Sequence, residues 1–220
     1  MSSQNASDMI EAAQPARAKA PQRERGRARV AALLDAAGQV FAEKGYDAAT
    51  MTAIAARAGS SIGSLYQFFP TKDEVAQALL QGYLDALIER LHQLRNEAAE
   101  LDAAAIAGFA ARVTRTFIRF RGEHPAFGVL AESYGSVVPG AGSIRGRVRS
   151  EIGAVLLALA PGQDGEQAEA RATVIQHLMK SAVAINGDTE YQNRDAAIVE
   201  LEHLVEHSLK SWIESTSTRR

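Results

Sequence analysis

The sequence predicts an all-α chain with a short N-terminal three-helix unit and a larger helical body. Three observations carry that reading. Apolar residues recur every three or four positions through most of the chain, as in Ile106, Phe109, Val113, Phe117 and Phe120. Glycine and proline punctuate these segments at Gly45, Gly59, Gly122 to Pro125, Pro139 to Gly142 and Pro161-Gly162. No stretch alternates convincingly as a strand, and no hairpin signal or internal repeat is visible.

The 220 residues suffice for one large or two small domains with a real core. Lys and Arg number 24 against 26 Asp and Glu, a net charge of -2, so any affinity for nucleic acid has to be local. The absence of cysteine excludes disulfides, thiolate nucleophiles and cysteine-ligated zinc or iron-sulfur sites, and suits a reducing cytoplasm. No apolar run resembles a secretory signal or is long enough to span a bilayer, so cytoplasmic localisation without membrane association is expected.

Residues 1–24 read as a disordered tail, polar and alanine-rich and interrupted by Pro15 and Pro21. Asn5-Ala6-Ser7 is a chance sequon in a chain with no export signal. The tail ends in basic charge: Arg17, Lys19, Arg23, Arg25, Arg27 and Arg29 face the single acid Glu24, a local charge of +5. Arg25, Arg27 and Arg29 lead directly into the first helix, where they can follow a phosphate backbone or enter a minor groove.

Residues 25–72 form the small unit. Val30, Leu33, Leu34, Ala37 and Phe41 stripe a first helix that Gly45 ends, with Tyr46 closing its core. Thr50 caps a short helix from about Met51 to Ala58, and Gly59 supplies the left-handed turn. Ser61 then caps a second short helix, Ile62 to Phe69, which turns Leu65 and Phe69 inward and leaves Ser61, Gly63, Ser64, Tyr66 and Gln67 outside. This is a helix-turn-helix whose second helix is slim enough to lie in a major groove. Thr50, Thr52, Ser61, Tyr66 and Lys72 are expected to hold phosphates, while Ile62, Gly63, Ser64 and Gln67 approach bases. Thr71 and Glu74 make a capping box that puts Lys72 at a helix N-terminus, within reach of a phosphate.

Gly59-Ser60-Ser61-Ile62-Gly63 also satisfies the G-x-S-x-G string of a hydrolase nucleophile elbow. That motif needs a strand before the serine and an oxyanion-hole loop, whereas the preceding residues are alanine-rich and helical. No constellation of acids and histidines supports catalysis, and no cofactor is expected. His203 and His207 have metal-chelating spacing but no third ligand, so no metal is expected either.

The run from Ala58 to Phe69, AGSSIGSLYQFF, followed by Lys72, resembles the DNA-binding signature of the TetR family of transcriptional regulators, AGVSxGTLYxHF followed by K. Phe41 to Tyr46 and Thr50 to Ala55 resemble the same family. The likeness covers roughly residues 27–80; Ser60 stands where the family usually has valine, and Phe68 where it often has histidine or tyrosine. It implies a non-enzymatic regulator, expected here to be a repressor that binds a palindromic operator as a homodimer and is released by a small-molecule effector. A ligand-independent architectural or activating protein is the alternative.

Residues 73–215 are expected to be the effector-binding and dimerisation domain, with 216–220 a tail. A fourth helix runs through Val75, Leu79, Tyr83, Leu87 and Leu94 to about Asn96, linking the two units. The resemblance places an effector pocket among the middle helices, where Phe109, Phe117, Phe120, Phe127 and Tyr134 can supply apolar walls and Arg119, His124 or His177 a polar contact. Two final stripes suggest the dimer face. Val174, Leu178 and Ala182 lie on the first; Ile198, Leu201, Val205, Leu209 and Trp212 lie on the second.

Overall fold

The computed structural model describes residues 19–134 and 143–217. Most of the expected N-terminal tail, the Pro139 to Gly142 loop and the last three residues lie outside the described residues. Among the described residues there are nine α-helices, one 3-10 turn at Ala103–Ala105 and no strand.

The small unit holds α1 (Lys19–Ala48), α2 (Met51–Arg57) and α3 (Ile62–Phe68). Helix α1 begins six residues before the expected domain start at Arg25. Pro21 sits in its first turn, where a missing N–H costs no helical hydrogen bond. Gly45 breaks the helical path with φ 75°. Caps form as their residue types require: Thr50 Oγ1 accepts from Ala53 N at 3.1 Å, and Ser61 Oγ accepts from Ser64 N at 3.2 Å. Gly59, at φ 59°, makes the turn between α2 and α3. Leu33, Ala37, Phe41, Ile54 and Leu65 fill the core beneath. On the surface Arg57 grips Glu43 through two hydrogen bonds of 2.6 and 2.8 Å and adds Gln39 at 3.1 Å, fastening α2 to α1. This contact holds the Glu43 carboxyl below its ordinary range.

Helix α4 (Lys72–Ala99) starts with Thr71 Oγ1 accepting from Glu74 N at 3.2 Å. Val75, Ala76, Leu79 and Leu80 are buried in its first half, and Leu84, Leu87, Leu91 and Leu94 in its second. One continuous helix thus belongs to both units, and the expected boundary falls at its first residue. The larger body adds α5 (Ile106–Glu123), α6 (Ala126–Tyr134), α7 (Ile144–Leu159), α8 (Gly165–Gly187) and α9 (Arg194–Ser217). Helix α7 packs between α4 and α8, α5 packs on α8 and α9, and α6 bridges α1 and α4.

The expected dimer stripe requires correction. Ala182, Leu201, Val205, Leu209 and Trp212 are 5% exposed or less within the protomer. Trp212 donates its indole N–H to the Leu156 carbonyl at 2.9 Å, locking α9 to α7. The periodicity identified the most apolar face of each helix, and in this fold that face belongs to the protomer's own core. Leu178 and Ile198 are partly buried, whereas Val174 at 55% and Leu204 at 61% are exposed, as are Val199 and the small Ser211.

Candidate nucleic-acid interface and internal cavity

Helix α3 turns Leu65 inward and presents Ile62, Gly63, Tyr66 and Gln67 to solvent. Two of these are large and apolar or aromatic, Ile62 at 39% and Tyr66 at 49% exposure, on a seven-residue helix held to the core mainly by Leu65 and its cap Phe69. The hydroxyls of Thr50 and Ser61 each accept a capping bond and keep their own proton free to donate. Thr52 is exposed in the first turn of α2. Nothing in the protomer lies within 4 Å of a Cβ placed on Gly63, so internal packing does not require the glycine.

The structure corrects two of the expected contacts. Ser64 Oγ is buried and without a partner, because its helical position lies on the inward flank beside Leu65. Lys72 does not extend from its helix end toward solvent. Its ammonium donates to the carbonyl oxygens of Tyr46, Asp47 and Ala49 at 2.8, 3.2 and 3.0 Å and sits 4.2 Å from the centre of the Tyr46 ring. Three donors are thereby engaged, which fits an ammonium clamping the end of α1 rather than holding a phosphate.

From Lys19 onward the basic arm is helical, and that decides which arginines stand near α3. Arg23, Gly26, Arg27 and Val30 line one open concavity together with Phe68 of α3. At about 100° per residue, the side of α1 carrying these residues centres roughly 150° from Arg25 and roughly 110° from Arg29. Arg23 and Arg27 thus share a concavity with Phe68 of α3, while Arg25 and Arg29 are exposed and do not line it.

The body forms a partly open pocket of about 370 Å³ between α4, α5, α6, α7 and α8. Of the expected pocket residues, Phe117, Phe120 and Phe127 line it. Phe109 is wholly buried beside a much smaller void of about 20 Å³. Arg119 is exposed on an outer groove between α4 and α5, and His177 is exposed on α8 with Nδ1 2.8 Å from the Thr173 carbonyl. His124 packs at a tilt between Tyr83 and Phe120, with ring centres at 4.6 and 4.7 Å. The Tyr134 side chain lies outside the described residues. The polar lining missed from sequence consists of Arg121, Glu132, Arg145, Gln176 and Lys180. A readable signal existed for Arg121, since it stands four residues after Phe117 and shares its helical face.

The hydrolase reading fails on geometry: Ser61 caps a helix after a helix and turn, with no strand before it. No helix among the described residues is long and apolar enough to cross a membrane.

Residues 33–79 match the model for bacterial regulatory proteins of the tetR family. Over 100 residues the chain is 34% identical to the HTH-type transcriptional repressor KstR2 of Rhodococcus jostii, covering 46% of this chain and 47% of that protein. Over 61 residues it is 48% identical to the HTH-type transcriptional activator FasR of Mycolicibacterium smegmatis, covering 28% of each. The chain thus spans less than half the length of these curated relatives. The whole fold extends the likeness: a TetR-family member from Streptomyces coelicolor superposes with a TM-score of 0.59 at 21% identity, covering 84% of this chain and 98% of that one. The helix-turn-helix and its glycine turn agree with these matches, so residues 33–79 are similar to the DNA-binding segment of tetR-family regulatory proteins, and the helical body behind them shares the fold of the solved structures.

Proposed function

We propose that this protein is a cytoplasmic, dimeric transcriptional regulator that represses by binding a palindromic operator and is released by a small molecule held in the internal cavity. In this reading residues 25–72, preceded by Arg23, form the DNA-binding unit and residues 73–215 the effector and dimerisation unit. The observation that carries it is the outer face of α3. Ile62, Gly63, Tyr66 and Gln67 are exposed together, and Gly63 lacks a side chain that nothing inside the protomer would obstruct. Glycine inside a helix costs about 1 kcal/mol relative to alanine, so a close approach by a body outside the protomer explains its presence. A base-pair edge in the major groove is such a body.

Thr50, Thr52, Ser61 and Tyr66 then hold phosphates, with Arg23 and Arg27 extending the contact along the backbone. Two protomers join through the exposed sides of α8 and α9, around Val174 and Leu204. A pair of reading helices roughly 34–36 Å apart, or somewhat more, would meet successive major grooves on one side of the duplex.

Control passes through α6. Its Phe127 and Gly128 line the cavity while the same helix packs on α1. A chain of rings runs from the cavity to the small unit: Phe120 lies 5.2 Å from Phe127 and 4.7 Å from His124, and Tyr83 lies 4.6 Å from His124. Tyr83 closes against Gly38 of α1, where an added Cβ would lie 2.5 Å from its hydroxyl. Occupying the cavity moves α6, and α6 with this chain of rings shifts α1 and the reading helix it carries.

Footprinting the purified protein on the DNA flanking its own coding region tests the proposal. Symmetric protection of two half-sites supports it, and no protection above that on unrelated DNA refutes it. The matched activator FasR makes the sign of control worth measuring separately, with a reporter in cells lacking the protein.

A further inference from the structure

Among the described residues, one arginine lining the pocket carries a nitrogen with no hydrogen-bond partner. Arg121 projects from α5 on the Phe117 face, and its Nη1 is buried with no hydrogen-bond partner. A buried donor without an acceptor costs on the order of 1–3 kcal/mol, more when charged, so its retention calls for a reason.

Three details show how the position is built. The guanidinium lies 5.8 Å from the centre of the Phe127 ring, whose face offsets part of its lost hydration. Gly128, one residue on, leaves room for it: a Cβ there would stand 2.6 Å from Nη1 and 2.7 Å from Cζ of Arg121. The described charged lining is Arg121, Arg145, Lys180 and the acid Glu132, a positive excess of two. Burial depresses the Arg121 pKa, opposed by Glu132, yet an arginine remains charged near neutral pH.

We infer that the pocket takes an elongated apolar molecule with a single oxyanion head group, carboxylate or phosphate, which the Arg121 guanidinium binds within a lining of net positive charge while the phenylalanine and methionine walls hold the apolar body. The rest of the lining is suitable: Phe117, Val148, Met179 and Val183 are apolar, and Gln176 is committed to the Arg145 carbonyl at 2.9 Å. A guanidinium edge recognises both oxyanions with parallel hydrogen bonds and gives an alcohol much less. As an account of the effector, this inference rests on reading the cavity as the effector site; as an account of binding, it stands without DNA.

The test is calorimetric titration of the full chain with decanoate, decyl phosphate and decanol near neutral pH. One or both anions should bind at least about tenfold more tightly than decanol, a difference of about 1.4 kcal/mol. The tighter anion identifies the head group. Arg121→Gln should remove that preference, bringing the anions to the affinity of decanol. Gly128→Ala keeps every charge but displaces the guanidinium, and should reduce the preference too, which preserves the test if Arg121→Gln does not fold. Equal affinity for the three probes, no binding of any of them, or a preference that survives both substitutions overturns the inference. Operator binding is measured in a separate titration. Anion binding that leaves an operator complex intact refutes effector control alone, and operator binding by a protein that takes up neither anion refutes the oxyanion site alone.

Discussion

The ammonium of Lys72 donates to the Tyr46 carbonyl at 2.8 Å and lies 4.2 Å above the ring of the same residue, so the first residue of α4 ties down the end of α1. The Tyr46 hydroxyl returns the contact by donating to Asp73. Lys72→Ala leaves three carbonyls without this donor and should lower unfolding stability by about 1–3 kcal/mol. Urea unfolding measures the loss. The dependence of DNA affinity on salt should be unchanged, because in this structure the lysine is engaged by the protein.

Gly38→Ala tests the joint between the two units. Alanine normally gains about 1 kcal/mol over glycine in a helix, but here its methyl meets the Tyr83 hydroxyl, the end of a rigid, half-buried ring. Overpacking of this kind costs about 1–3 kcal/mol, so the substitution should be net destabilising. Adding Tyr83→Phe removes the obstructing oxygen and should restore or exceed the stability of Tyr83→Phe alone. Additive effects in this double-mutant cycle would contradict the contact.

The surface of α8 and α9 makes opposite predictions for neighbouring residues. Val174→Glu with Leu204→Glu should halve the mass seen by sedimentation and leave the helical signal unchanged, since both side chains are exposed. Trp212→Ala should instead cost the protomer about 3–5 kcal/mol, because the ring is buried and its N–H is bonded to Leu156.

His124 gives the fold an acid limit. Burial between Tyr83 and Phe120, followed by the field of Arg90, lowers its pKa from 6.5, against a smaller opposing pull from Glu123. The folded chain therefore binds fewer protons here than the unfolded chain. The contribution is complete above the unfolded value of 6.5 and is lost as pH falls from there through the lowered folded value. Urea midpoints should drop over that interval, and His124→Gln should flatten the drop. An unchanged profile in the variant would assign the loss to other groups.

How far the sequence was legible depends on what kind of information each residue carried. Thr50, Gly59, Ser61 and Thr71 act locally, through their own caps and backbone angles, and the structure places them as the spacing predicts. Facing is harder to read. Trp212 and Val205 lie on apolar stripes, yet the stripe cannot say whether a partner or the same protomer covers it. The role of Lys72 depended on carbonyls 23 to 26 residues away. Arg121 drew no reading from the sequence, because its setting depends on Gly128 and Phe127, which the fold brings against it.

Gly63→Ala is the most direct test of the claim that α3 reads DNA, because the protein alone and the complex predict opposite signs. A methyl there meets nothing within 4 Å in the protomer, so thermal unfolding should show a gain of about 0.5–1 kcal/mol from helix propensity. Fluorescence anisotropy on operator DNA identified by footprinting should show affinity weakened by about tenfold, as a base-pair edge is pushed away. A stabilised variant that binds the operator as tightly as the parent would contradict the account.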